Sequence, residues 1–261
     1  MMFKILKYSF FDLIRSRWSY VYLLFYLLLG SVLLFLNNDL SKAVITLMNV
    51  IIILVPLIGT IFGVMYYYNS KEFTELLLAQ PIKRSSIFIG QYLGVALSLS
   101  MSLVIGLGIP FMLYGLFQSN EIWDFVLLLV TGTFLTLIFT ALAFNIALYN
   151  ENRIKGFSYA ILLWLFMAVI YDGLFLMSLI LLESYPLDTL SIGATMLNPI
   201  DLSRILILLK LDISALLGYT GAVFQKFFGT GFGLVLSITA LSLWVILPLL
   251  NIYRKCRKKD F

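Results

Sequence analysis

The 261-residue sequence contains no histidine, and its single cysteine is Cys256. Without histidine the chain lacks the most common general base, the side chain that titrates near neutral pH and the most common metal ligand. One cysteine excludes a disulfide within the chain. No GxxxxGK[ST] pattern occurs, so P-loop hydrolysis of a nucleotide has to come from another chain. We therefore expect a protein that is not an enzyme and that binds no metal and no cofactor itself.

Charged residues are scarce as well. They make up 12% of the chain, against 62% hydrophobic residues and a mean hydropathy of +1.03. Soluble domains contain about 25% charged and about 45–50% apolar residues. This composition excludes a soluble, disordered or disulfide-rich protein and predicts an all-α polytopic membrane protein.

Six apolar stretches are long enough to cross the membrane hydrocarbon, which takes about 20 helical residues. The predicted spans are 18–36, 43–68, 87–117, 125–148, 157–182 and 232–252. Six spans place both termini on the same side of the membrane. The first stretch is too long for a cleavable signal, and no small-x-small motif follows it. We predict a single transmembrane domain over residues 1–261.

Lysine and arginine are unevenly distributed between the two sides. Fourteen of the 18 lie near the termini or in connections on the same side as the termini. The other four, Lys42, Arg204, Lys210 and Lys226, lie on the opposite side. Because cytoplasmic loops are enriched in these residues, we expect both termini in the cytoplasm. The charges flank helices and form no nucleic-acid-binding stripe, so no nucleic acid partner is expected.

Residues 1–17 form the first of two amphipathic segments on the predicted cytoplasmic side. Phe3, Leu6, Phe10 and Leu13 recur at helical spacing among charged residues. This pattern predicts a helix that lies in the membrane interface before the first span. The alternative is a simple charged flank.

Residues 69–80, between the second and third predicted spans, form the other segment. Asn69 and Glu72 have the spacing of a capping box, and Pro81 ends the helix. A short helix with an apolar face can lie on the membrane or dock into a groove of a partner protein. The residues alone leave both possibilities open. The predicted apolar face consists of Phe73, Leu76, Leu77 and Gln80.

The segment 183–230 is the longest connection and lies on the predicted outer side. Connections longer than about 15 residues usually have structure or a function of their own. Its apolar patches 205–209 and 213–223 are too short to cross the membrane. We predict short helices that rest on the outer surface or dip into it and that can receive an external partner.

Asp172 is the carboxylate that interrupts the fifth predicted span. A charge within the membrane costs at least about 2.5–3.5 kcal/mol, so such a residue is expected to be functional or paired. The alternative is a position near the outer interface, bonded to Tyr171 or to a neighbouring helix. A proton relay is not expected, because no second titratable group follows along a span.

Small residues mark the third predicted span. Gly90 and Gly94 have a spacing that permits close helix contact. Gly106, Gly108 and Pro110 interrupt the later part of the span and predict a kink.

These features together resemble the ABC-2 type transporter permeases. The stretch EFTELLLAQPIKRSSIFIG, 72–90, is similar to the coupling-helix region of that family. The stretch LNPIDLSRILILLKLDISALLGYTGAVFQKFFG, 197–229, resembles the outer segment of the permease subunit that serves maturation of nitrous oxide reductase. The YDG motif at Asp172 and NENRIKGF before the fifth span are similar to the same subgroup. The resemblance covers essentially the whole chain.

This resemblance implies a six-helix, type V-like exporter fold. Its parts are an amphipathic N-terminal helix, a cytoplasmic coupling helix and a structured periplasmic segment before the last helix. It also implies a half-transporter that works as a homodimer in a bacterial cytoplasmic (inner) membrane.

The resemblance also implies partners. Two copies of a cytoplasmic ABC ATPase (NosF-like) would bind ATP and Mg, a periplasmic β-helical protein (NosD-like) would dock on the outer segment, and a copper chaperone (NosL-like) could join them. In that subgroup the complex supports assembly of the copper–sulfur centre of the reductase in denitrification. Because this chain has no histidine and no paired methionine or cysteine, we expect it to transmit motion or to export a sulfur species, and not to conduct copper.

Two sets of contact residues follow from the resemblance, and no residue is assigned to catalysis or to metal binding. The predicted ATPase-coupling residues are Glu72, Phe73, Glu75, Leu76, Leu77 and Gln80. The predicted residues for the periplasmic partner are Asp201, Arg204, Tyr219, Phe224 and Phe228.

Two alternatives compete with this hypothesis. One is a general ABC-2 exporter of a lipid, a glycan or a drug. The other, from a different class, is an ATP-independent secondary transporter. The internal repeat expected of many secondary transporters is not visible between the two halves.

Overall fold

The computed structural model describes residues 1–37, 39–119, 121–181, 187–210 and 231–258, with the side chains of 187–190, 210, 257 and 258 excepted. All regular structure in these residues is helical, with no strand. The α-helices are α1 Met2–Arg15, α2 Arg17–Asn37, α3 Leu40–Asn69, α4 Lys71–Leu78, α5 Arg84–Leu113, α6 Ile122–Tyr149, α7 Arg153–Leu165, α8 Tyr171–Leu181, α9 Leu187–Met196, α10 Pro199–Lys210 and α11 Gly231–Lys258.

Six helices in the described ranges are long and apolar enough to cross a membrane. They are α2, α3, α5, α6, the run Arg153–Leu181 formed by α7 and α8, and α11. The prediction of an all-helical chain with six spans is therefore confirmed for the described part. We call the end of the bundle at which α4 lies the proximal end. The opposite end, where the connection between α8 and α11 lies, is the distal end.

The centre of the bundle is formed by α3, α5 and α6, which bury apolar side chains against one another and against α2. Aromatic rings fill much of this core. Phe111 of α5 stacks on Phe125 of α6 with ring centroids 4.5 Å apart. Tyr22 donates a hydrogen bond of 2.9 Å to Tyr26 within α2, so the polar ends of two buried rings satisfy each other.

The N-terminal helix α1 packs along the first half of α5. Its buried residues are Ile5, Ser9 and Leu13, whereas Phe3 of the predicted apolar set is exposed. The reason is the close approach of the two helices at Gly94. A Cβ atom there would lie 2.6 Å from the Cβ of Ser9, so a small residue is needed on both sides of the contact.

The third predicted span, α5, is one helix from Arg84 to Leu113 that runs through Pro110 without a break. Gly106 lies at its crossing with α2, where an added Cβ would be 2.7 Å from the Cβ of Tyr26. Gly94 and Gly106 thus serve helix packing, whereas a Cβ added at Gly108 would meet no atom within 4 Å. The two packing glycines allow α5 to contact α1 along its first half and α2 along its second.

Candidate functional site

The short helix α4 lies at the proximal end, between the second and third spans. The helix α3 continues to Asn69, so the N-cap of α4 is Ser70, which makes no side-chain capping bond. The predicted capping box of Asn69 with Glu72 was therefore wrong, because Asn69 is still helical. Glu72 lies in the first turn of α4, where a negative charge interacts favourably with the helix dipole.

Two contacts hold α4 against its neighbours. The buried hydroxyl of Thr74 donates to the carbonyl of Ser70 and accepts a 2.8 Å hydrogen bond from Nε2 of Gln91, a fully buried residue of α5. The ring of Phe73 stacks on that of Tyr8 in α1, with centroids 4.5 Å apart. Because α1 itself packs on α5, the three helices α1, α4 and α5 are joined at the proximal end.

The opposite face of α4 is exposed. It presents Leu76, whose exposure is 68%, together with Glu72 and Glu75. Gln80, two residues after the end of α4, is exposed as well. Lys71 lies 3.9 Å from Glu75 one turn away, but such exposed pairs contribute little to stability. Of the six predicted coupling residues, four are thus available to a partner. Phe73 and Leu77 are half-buried.

The distal end contains a polar network that joins α10 to the fifth span. Nη1 of Arg204 donates a 2.7 Å hydrogen bond to Oδ2 of Asp172. The same nitrogen lies 3.4 Å from Oδ1 of Asp201. Asp201 is buried, and the side chains of Arg204 and Asp172 are 29% and 30% exposed. Asp172, left open between a functional and a paired role, is paired with a neighbouring helix.

Burial and the nearby carboxylate of Asp172 raise the pKa of Asp201 from its ordinary 3.8 to about 8. Arg204 and a hydrogen bond from Asn198 act in the opposite direction, with a smaller effect. The guanidinium of Arg204 thus contacts two carboxylates. Of these, Asp201 binds a proton more readily than a free aspartic acid does.

The fifth span changes its hydrogen-bond register between α7 and α8, where Phe166–Ile170 form a π-helical segment. Such a segment leaves a backbone carbonyl free for an outside donor. Nδ2 of Asn198 donates to the carbonyl of Met167 at 2.8 Å, and it also donates to Oδ2 of Asp201 at 2.9 Å. The Tyr171 hydroxyl donates to the carbonyl of Ala194 at 2.6 Å. These bonds attach the turn between α9 and α10 to the fifth span.

The last span binds the same turn. Nε1 of Trp244 in α11 donates a 3.1 Å hydrogen bond to the carbonyl of Met196. At about 1.5 Å per residue, Met167 lies about 21 Å along the fifth span from Arg153. The turn at Met196 and Asn198 therefore reaches well into the bundle, and α10 is buried along most of its length. The predicted patch 205–209 is part of α10, which enters the bundle, whereas the patch 213–223 lies outside the described residues.

Sequence reasoning missed Asn198 and the π-helical segment. Asn198 had a local signal, since Asn followed by Pro199 is a common helix start, and its Oδ1 accepts from the Ile200 amide at 3.1 Å. The π-helical segment has no signal, because a shift of register leaves the apolar composition unchanged.

The remaining predicted site residues have different positions. Asp201 and Arg204 make the contacts described above within the chain, so their predicted role toward a periplasmic partner stays a prediction. Tyr219, Phe224 and Phe228 lie outside the described residues. Within the part of the chain that the structure describes, no three acidic or cysteine side chains are grouped closely enough to hold a metal ion.

Comparison with known proteins gives distant relatives, one of which matches most of the chain. No protein family profile matches it. It is 25% identical over 255 residues to the probable ABC transporter permease protein NosY of Pseudomonas aeruginosa, a match that covers 91% of this chain and 89% of that protein. It is 26% identical over 136 residues to the protein of the same name from Stutzerimonas stutzeri, covering 50% of this chain and 49% of that protein. The chain is thus a distant homologue of the probable ABC transporter permease NosY.

Proposed function

We propose that this chain is the membrane-spanning permease subunit of an ABC transporter. The observation that carries the proposal is the similarity to a probable permease over 91% of the chain. The six candidate spans agree with it. The chain would work as a homodimer without an ATPase site, and two copies of a separate NosF-like ATPase would bind ATP and Mg.

The coupling to the ATPase would run through α4. Its exposed face, with Leu76 beside Glu72 and Glu75, is the surface we assign to the ATPase groove. Because Thr74 is bonded to Gln91, a push on α4 would act first on α5. The stack of Phe73 on Tyr8 would move α1 with it. Phe73 would then act as an internal anchor of α4, and not as an ATPase contact.

At the distal end, the contacts of the α9–α10 turn with both α7–α8 and α11 support transmission to an external partner. A movement of the fifth or sixth span would displace this turn directly. We propose that a periplasmic NosD-like protein docks on the segment that contains α9 and α10, with both chain termini in the cytoplasm of a bacterial cell.

The specific role we propose is maturation of the copper–sulfur centre of nitrous oxide reductase, by mechanical transmission or by export of a sulfur species. The chain has no histidine and a single cysteine, so copper is not expected to pass through it. A copper titration of the purified dimer without partners tests this part. Tight, stoichiometric binding of Cu(I) within the bundle would refute it.

The experiment that tests the whole proposal is affinity purification of the tagged chain from its native membranes, followed by mass spectrometry. Recovery of an ABC ATPase together with a β-helical periplasmic protein is the expected result. Recovery of the ATPase alone would replace the maturation role by general export of a lipid, a glycan or a drug. Recovery of neither would contradict the permease assignment and favour an ATP-independent transporter.

A further inference from the structure

At the proximal end, a pocket of about 350 Å³ opens where α1 turns into α2 and faces the end of α3. It is separate from the exposed face of α4. Its wall includes Asp12 and Arg15 of α1 and Trp18 of α2. The remaining lining residues are Leu13, Ser16, Met65, Tyr66, Asn69 and Ser70.

The pocket has one side chain of each charge. Asp12 and Arg15 are three residues apart on α1, so they lie on neighbouring positions of the helix surface. Both are exposed, and neither forms an ion pair within the described residues. A wall with one carboxylate and one guanidinium, neither of them in an ion pair within the described residues, is complementary to a ligand that carries both charges a short distance apart.

Neutral polar groups complete the wall. Asn69 can donate and accept, and Ser16 and Ser70 provide hydroxyls. Tyr66 is 5% exposed, and its hydroxyl faces Ser9 and Asp12. It thus supplies a further polar group next to the carboxylate of Asp12.

The position of the pocket indicates the source of the ligand. Trp18 is 61% exposed and lies one residue after the start of the first span. Tryptophan at such a position is typical of the level of the lipid headgroups. The pocket therefore opens at the height of the headgroups of one leaflet.

We propose that this pocket binds the headgroup of a zwitterionic phospholipid with a primary ammonium, as in phosphatidylethanolamine. Asp12 accepts hydrogen bonds from the ammonium, and Arg15 donates to the phosphate. Asn69 and the two serines bind the remaining oxygens, and the Trp18 ring packs against the glycerol region. A trimethylated headgroup has no N–H to donate to Asp12, and an anionic headgroup without an ammonium is repelled by it.

The test is native mass spectrometry of the purified full-length chain, titrated with phosphatidylethanolamine, phosphatidylcholine and phosphatidylglycerol that have the same acyl chains. We expect phosphatidylethanolamine to bind about tenfold more tightly than the other two, a difference of one charge-assisted hydrogen bond. Asp12→Asn should remove this preference, and Arg15→Gln should weaken binding of all three lipids. Lys83→Gln is the matched control, because Lys83 is an exposed cation at the same end of the bundle and lines neither this pocket nor the adjoining cavity that shares Asp12 and Arg15. It should leave the preference unchanged.

A conservative variant guards against misfolding. Asp12→Glu keeps the charge and should keep the preference for phosphatidylethanolamine, whereas a merely structural effect at position 12 would remove it in both variants. Equal affinity of the native chain for the three lipids would overturn the proposal, as would a preference that survives in Asp12→Asn. Soluble phosphoethanolamine distinguishes the free compound from the lipid. We expect it to bind much more weakly, and equally tight binding would overturn the assignment to a lipid.

Discussion

Arg204 donates a 2.7 Å hydrogen bond to Asp172, and this bond joins α10 to α8, two helices that are separated in the chain by α9. Asp201, one helical turn before Arg204, approaches the same guanidinium from its own helix. Asp172, which interrupts the fifth span, is thus neutralised by Arg204 of α10. This arrangement makes the contact between the fifth span and α10 dependent on charge.

Removing the arginine should destabilise the protein. Arg204→Gln leaves Asp172 and Asp201 close together without a cation, and we expect a loss of about 1–3 kcal/mol. The loss is smaller than for a fully buried pair, since the side chains of Arg204 and Asp172 are each about one-third exposed. Unfolding of the purified chain in detergent measures it. The exchange of charges in Asp172→Arg/Arg204→Asp should recover part of the loss, and a double variant no more stable than Arg204→Gln would show that the pair has no specific role.

Stability should also depend on pH through Asp201. Its pKa is raised in the folded chain, so the folded state binds a proton where the unfolded state has released it. Stability contributed by this proton is therefore lost as the pH rises from about 4 to about 8. Thermal unfolding of the native chain and of Asp201→Asn across this range checks the sign. The native chain should lose stability relative to the variant as the pH rises, and parallel curves would contradict the prediction.

Because α1 packs closely on α5, replacing a glycine of α5 by alanine should affect stability very differently at Gly94 and at Gly108. Gly94→Ala places a Cβ 2.6 Å from the Cβ of Ser9 and 2.9 Å from the carbonyl of Leu6, and overpacking of this kind costs about 1–3 kcal/mol. Gly108→Ala meets no atom within 4 Å and should be neutral or slightly stabilising. Thermal unfolding of both variants, with proteolysis at Lys4 and Lys7 as a local probe, measures the difference. Equal melting temperatures would refute the packing argument.

Loss of the hydrogen bond between Thr74 of α4 and Gln91 of α5 should loosen α4 locally, and its effect on global stability should depend on which partner is replaced. Gln91→Leu removes the donor to Thr74, but it also removes a buried carbonyl oxygen without a partner in the described chain, so global stability should change little. Thr74→Val leaves Gln91 buried and unpaired and should cost about 1–3 kcal/mol. Hydrogen exchange of α4 amides should accelerate in both variants. Unchanged exchange in Gln91→Leu would mean that the bond does not hold α4.

Reversal of charge on the exposed face of α4 tests its role toward the ATPase. Glu75→Lys should abolish copurification of the ATPase while membrane insertion is retained, because the residue lies outside every span. Glu121→Lys is the matched control. It makes the same change of charge at the distal end, where Glu121 accepts from Ser41, and should retain the ATPase. Intact copurification with Glu75→Lys would exclude this face as the docking surface.

The sequence predicted the spans well because membrane helices are defined by long runs of one composition, which do not depend on distant residues. The third span illustrates the limit. Its glycines predicted close contact, but not that the contact at Gly94 is with α1. Local signals also failed at Asn69, where α3 runs on through a residue that looked like a helix start.

The distal network could not be predicted for a different reason. Arg204 belonged to a segment whose pattern suggested short outer helices, and nothing in that pattern relates it to Asp172. The contact depends on how far α10 enters the bundle, which is set by the Asn198 bond to Met167 and by the Trp244 bond to Met196. Such contacts between distant residues are properties of the packed bundle and not of any stretch of sequence.

The packing of α1 on α5 has a consequence for biosynthesis. The ribosome makes α1 before α5, so the surface of α5 that covers Ile5 and Ser9 is absent until the third span has been synthesised. In this interval the apolar face of α1 can be buried in the lipid interface. The same holds for α4, since its partner Gln91 follows it in the chain. The proximal end of the molecule can therefore reach its final arrangement only after the third span has entered the membrane.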